Sequence, residues 1–129
     1  MTTREPIHTD AAPAAAGAYS QAIRTGDLVF TAGQLGIDPA TGQLAEGVEA
    51  QAEQALRNLA GILEAAGSGL DRLVKVTVFL ADIADWPALN EAYTRVVPEP
   101  FPARSAFAVR ALPLGALVEI EAVAAVSAG

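Results

Sequence analysis

The sequence predicts an α+β domain in which one mixed sheet carries two helices on one face, in the order β-β-α-β-α-β-β. Three observations lead there. Short runs of β-branched and apolar residues, bounded by Gly, Pro and Asp, recur along the chain. Two stretches switch from a period of two to a helical period. Each helical stretch follows a strand and leads to another, so both helices can cover the same side of one sheet. At 129 residues, with no repeat or linker, residues 1–129 read as a single domain.

Residues 1–16 are polar and then rich in Pro and Ala, and read as an extended N-terminal arm. His8, the one histidine, sits in this arm and reads as solvated, since catalysis or metal binding needs a histidine fixed by neighbours. Gly17–Ile23 is expected as the first strand, with a turn at Thr25-Gly26-Asp27. Leu28–Ala32 is expected as the second strand, ending at Gly33. Asp38-Pro39-Ala40-Thr41-Gly42 marks a loop. Val48–Ala66 is the clearest helix: Val48, Ala52, Leu56, Leu59, Leu63 and Ala66 fall on one stripe, and Gly67 fits the position after its end. Leu73–Leu80 alternates as a third strand with one well-buried face. Asp85 is placed to cap a second helix that tolerates Pro87 in its first turn and carries Leu89, Ala92, Tyr93 and Val96. Pro98 and Pro100 stop it. Phe101–Gly129 then reads as a closing hairpin, turning at Leu112-Pro113-Leu114-Gly115. No third helix is available for the second face of the sheet, and another subunit is its simplest cover.

Composition narrows the function. The net charge is −7, with eight basic and fifteen acidic residues, which argues against nucleic acid as the main partner. The absence of cysteine excludes disulfides, thiolate metal sites and a cysteine nucleophile. No His–carboxylate cluster suggests a metal, and no phosphate-binding or nucleophile-elbow motif occurs. No apolar run reaches the roughly 20 residues of a membrane span, and the polar N-terminus lacks a signal-peptide core. A cytoplasmic protein without membrane contact is expected.

Four charges stand out in the apolar closing stretch: Arg104, Arg110, Glu119 and Glu121. An unpaired charge is costly to bury, so each needs water or a partner. Arg104 reads either as a salt-bridge residue or as a bidentate clamp for a ligand carboxylate. Spacing alone leaves Glu119 and Glu121 equally placed as an acid–base group. Tyr19 and Asn90 read by default as packing and surface residues, and Gly33 as a conformational glycine that would also admit a ligand close to the backbone.

Taken together, these segments resemble the RidA/YjgF family of reactive-intermediate deaminases, also known under the labels L-PSP endoribonuclease and translation inhibitor. The resemblance rests on Phe101-Pro102-Ala103-Arg104-Ser105 followed by Val118-Glu119-Ile120-Glu121-Ala122. It is supported by Gly17-Ala18-Tyr19-Ser20-Gln21, Thr31-Ala32-Gly33-Gln34, Val74–Phe79 and Asn90-Glu91-Ala92-Tyr93. It implies a chorismate-mutase-like fold and a homotrimer whose three sheets form a barrel-like core, with the active sites between subunits. The implied reaction is hydrolysis of 2-imino acids, such as 2-iminobutanoate and 2-iminopropanoate, to 2-keto acids and ammonia, without cofactor or metal. By resemblance Arg104 binds the carboxylate, Glu119 handles the water, and Tyr19, Gly33, Asn90 and Ala106 line the cleft. Two positions depart from the family pattern: Ala106 stands where cysteine is frequent, and Ala18 where proline is usual. A non-catalytic carboxylate-binding or chaperone-like trimer is the alternative, and a ribonuclease the more distant one.

One geometric expectation is independent of the resemblance. On a flat hairpin turning near Leu114, Arg104 and Glu119 would be offset by about five residues, or roughly 15 Å. They could not share a small substrate there, so either strong bending or a neighbouring subunit is required.

Overall fold

The computed structural model describes residues 3–126; the outermost ends of the expected arm and of the closing stretch lie outside them. The elements are β1 (Glu5–Ile7), β2 (Ala22–Thr25), β3 (Leu28–Thr31), β4 (Gln34–Leu35), α1 (Val48–Ala65), β5 (Leu73–Leu80), α2 (Trp86–Val96), β6 (Ala103–Ala108) and β7 (Val118–Ala125). They form one open mixed sheet in the order β1-β2-β3-β7-β5-β6, with β4 also paired to β7. Both helices cover one face, as expected. Among the described residues no helix is long and apolar enough to cross a membrane.

The closing hairpin does not form. β6 and β7 are both bonded to β5, β6 in parallel and β7 antiparallel, so β5 lies between them. The physical reason is the connection. Nine residues separate the two strands, and instead of reversing tightly at Leu114 they carry the chain across the end of β5. Val109 donates to the Leu80 carbonyl and Ala81 to that of Leu117, which ties both ends of the crossing to the end of β5.

Alternation then sorts the side chains. Val76, Val78 and Leu80 of β5 and Val118, Ile120, Ala122 and Ala124 of β7 face the helices and are buried. They pack against Ala52, Ala55, Leu56 and Leu59 of α1 and Leu89, Ala92 and Tyr93 of α2. The opposite face carries Phe30, Phe79, Phe107 and Val123. Phe30 and Phe107 remain 44% and 45% exposed, with Phe107 edge-on to Phe79.

The helix ends follow the chemistry of their termini. Gly67 has φ 83°, and the Gly67 and Ser68 amides bond back to the carbonyls of Glu64 and Leu63, closing α1 in a Schellman motif. Asp85 occupies the N-cap position of α2, but its side chain makes no capping bond. The capping carboxylate is that of Asp82, which accepts from the Ala84 amide in the short turn before the helix.

Two buried polar side chains hold the cleft-forming loops. Gln21 accepts from the Thr9 amide and donates to the Thr9 and Pro13 carbonyls, fastening the N-terminal segment over the sheet. That segment is more than an arm, since β1 pairs with β2 and Ile7 is buried. Asn58 on α1 donates to the carbonyls of Leu35 and Ile37 at 3.2 and 2.9 Å, pinning β4 and the chain after it to the helix. Gly36 makes this approach possible, because a Cβ there would collide with the Gln51 backbone. Asn58→Ala leaves two carbonyls without their donor and is expected to cost about 1–3 kcal/mol by urea denaturation. The exposed neighbour Arg57→Ala should stay within about 0.5 kcal/mol. Equal effects of the two would contradict the anchoring role.

Candidate active site

Arg104 lies on β6 opposite Val76 and therefore shares the helix-covered face of the sheet. Because β6 is the outer strand, the guanidinium reaches a hollow at the rim of α2 instead of the core. Asn90, Tyr93, Thr94, Phe101 and Pro102 line this hollow with it. The guanidinium carbon sits 5.4 Å from the centre of the Trp86 ring and 4.8 Å from that of Tyr93. Among the described residues Arg104 makes no ion pair or side-chain hydrogen bond. Its planar donor fork is free for an anion, and the geometry suits a carboxylate. Ala106, two residues on, shares this face but packs against the core cluster and does not line the hollow.

Glu119 lies on β7 opposite Phe79 and Leu35, on the face away from the helices. It lines a second cleft with Tyr19, Gly33, Leu35, Ile37, Pro113 and Leu114. Gly33 occupies the break between β3 and β4, where a Cβ would stand 2.5 Å from a Glu119 carboxylate oxygen. Only glycine allows the backbone and the carboxylate this close together. Tyr19 is in a bend before β2, outside the strand expected to hold it, and its hydroxyl accepts from the Ala16 amide at 3.1 Å. Burial, and to a lesser degree the charge of Glu121, pushes the Glu119 carboxyl above the ordinary glutamate range. Glu121 lies on the same face, opposite Thr77.

The candidate residues therefore fall into two groups. Arg104 and Asn90 form one, and Glu119, Gly33 and Tyr19 the other, on opposite faces of the same sheet. Their strands flank β5, and their partners Val76 and Phe79 are three residues apart, which sets their Cα atoms roughly 14 Å from each other. Sequence reasoning missed Phe101, Pro113 and Leu114 as lining residues and Trp86 as a ring beside Arg104, and took Tyr93 only as a helix-face residue. A signal for the first group was present: Trp86, Asn90 and Tyr93 recur at i, i+4 and i+7 on α2. None existed for Pro113 and Leu114, which read only as a turn.

A raised carboxyl pKa means that the folded protein holds the proton more tightly than the unfolded chain. Ionising Glu119 therefore lowers stability. The loss is absent below the unfolded value of about 4.3 and complete once pH exceeds the folded value. Glu119→Gln is expected to raise the urea midpoint at about pH 7, with the gain shrinking toward zero by about pH 4. A midpoint difference that does not change with pH would contradict this.

Comparison with known proteins agrees with both the fold and the motif. The sequence matches the model of the family described as Endoribonuclease L-PSP over residues 9–126. It is 55% identical to the RutC family protein y4sK of Sinorhizobium fredii over 92% of this chain and 95% of that protein. It is 51% identical to the 2-iminobutanoate/2-iminopropanoate deaminase of Capra hircus over 94% of this chain and 89% of that protein. The crystal structure of RidA from the Antarctic bacterium Psychrobacter sp. superposes with a TM-score of 0.93 at 50% identity, covering 95% of this chain and all of that one. The chain belongs to the Endoribonuclease L-PSP family, the RidA/YjgF group of reactive-intermediate deaminases.

Proposed function

We propose that this protein hydrolyses 2-imino acids of the 2-iminobutanoate and 2-iminopropanoate type to 2-keto acids and ammonia, in sites shared between subunits of a homotrimer. One observation carries the reading: Arg104 and Glu119 are both equipped for this chemistry, yet they occupy opposite faces of one sheet. A single chain holds two half-sites. When the rim of α2 and β6 on one protomer meets the open face of the next, Arg104 is brought to the Glu119 cleft. The exposed Phe30 and Phe107 on that open face supply apolar area for the contact.

In the completed site Arg104 holds the substrate carboxylate and fixes the imine carbon over Glu119. The Glu119 carboxylate takes a proton from water as the water oxygen bonds to the imine carbon, and the π electrons of the C=N bond move to nitrogen. The proton then passes from Glu119 to the amine nitrogen of the resulting carbinolamine. The C–N bond then breaks with its electron pair going to nitrogen, while the hydroxyl proton passes through Glu119 to that nitrogen, so that ammonia leaves as the carbonyl forms and Glu119 is returned to its carboxylate. Glu119 must both accept and release a proton, and a carboxyl held above the ordinary range favours that double role. An acidic chain with eight basic residues offers no comparable surface for RNA.

Arg104→Ala and Arg104→Lys are expected to lower kcat/KM for imine hydrolysis at least roughly 100-fold above the spontaneous background, because neither restores the bidentate fork. The assay is keto-acid release coupled to an imine-generating dehydratase or oxidase, with assembly checked by light scattering. Unchanged rates would remove Arg104 from the site. The acid limb of kcat/KM should lie above about pH 4.3 and report Glu119. Glu119→Gln should abolish the activity that defines that limb.

A further inference from the structure

We propose that Trp86 and Tyr93 are positioning residues for the reaction: their rings hold the Arg104 guanidinium in place, so that affinity for the substrate carboxylate depends on these aromatic faces. The inference rests on the reading of Arg104 as the carboxylate-binding group. An arginine on an outer strand with no ion-pair partner would ordinarily sample many rotamers and lose entropy on binding. Here two rings lie within cation–π range of its guanidinium carbon, at 4.8 and 5.4 Å. Ring faces occupy none of the N–H donors, so the residue is held while its whole hydrogen-bonding capacity stays open. A carboxylate partner from the same chain would hold Arg104 equally well but would compete with the substrate.

The rings are themselves fixed. Tyr93 is 4% exposed on the buried stripe of α2, and Phe101 packs against it at 6.4 Å between ring centres. Trp86 is the first residue of α2, seven before Tyr93, so the two rings lie on the same side of the helix. Among the described residues the buried Tyr93 hydroxyl has no hydrogen-bond partner. Burial pushes the phenol above its ordinary range, against a smaller opposing pull from Arg104, so a neutral ring faces the cation. An orphaned hydroxyl adds nothing to packing, and Tyr93 is therefore expected to act through its ring alone.

The test is calorimetric titration of the assembled protein with 2-oxobutanoate, the keto-acid product, beside steady-state kinetics. Tyr93→Leu and Trp86→Leu are expected to weaken binding roughly 3- to 30-fold and to raise KM by a similar factor, with kcat changed by less than about threefold. Tyr93→Phe and Trp86→Phe keep an aromatic face and should restore affinity to within about threefold of the parent. A purely structural role would instead lower the active fraction and kcat, leaving the Kd of the folded molecules unmoved. Trp86 is the only tryptophan, so its emission should also shift when 2-oxobutanoate binds, and that shift should vanish in Arg104→Ala. The proposal is overturned if the leucine variants bind as the parent does, if Tyr93→Phe loses as much as Tyr93→Leu, or if Trp86 emission ignores the ligand. Failure of imine turnover with these binding results intact would overturn the proposed reaction and leave the positioning role standing.

Discussion

The pairing of β5 with both β6 and β7 is the constraint on which the site depends. Side chains alternate along every strand, so register decides which face each residue takes. Arg104 is opposite Val76, which faces the helices, and Glu119 is opposite Phe79, which does not. A slip of one residue in either ladder would exchange core for surface along a whole strand, and burial of Val76, Val78, Leu80, Val118 and Ile120 prevents it. The same hydrophobic burial that makes the fold thus places the two charged residues on opposite faces.

Each half is supported by a different device. Arg104 is held by aromatic rings on α2, which leave its donors unspent. Glu119 is held close to the backbone by the absence of a side chain at Gly33, in a cleft whose walls depend on Gln21 and Asn58 acting well behind it. Both halves sit at margins of the sheet, Arg104 on an outer strand and Glu119 beside the break between β3 and β4. Regular strands supply rigidity and their irregular margins supply access.

Much of this was legible in the sequence. The stripe on α1, its end at Gly67 and the span of β5 follow from periodicity and end chemistry, and they agree with the structure. The place of both helices on one face follows from the order of elements. The closing hairpin was misread because Leu112–Gly115 carries strong turn residues, and local turn chemistry does not reveal which strands pair beyond it. The expected separation of Arg104 and Glu119 survives that error, although it now arises from an intervening strand and opposite faces. Tyr19 lies outside regular structure because Gly17 to Tyr19 form a bend, a distinction that a short apolar run does not carry. Trp86 was overlooked because a lone aromatic at a helix start looks like packing until the strand facing it is known.

We propose this arrangement of each working site: Arg104 from one protomer and Glu119 from another. Its most direct measurement is activity of an equal mixture of Arg104→Ala and Glu119→Gln chains, unfolded and refolded together, with co-assembly verified by native mass spectrometry. In a cyclic trimer with random assembly, about a quarter of the sites combine an intact arginine from one variant with an intact glutamate from the other. Recovery of roughly that fraction of parental activity is the predicted result. Activity no greater than that of either variant refolded alone would contradict a site shared between subunits.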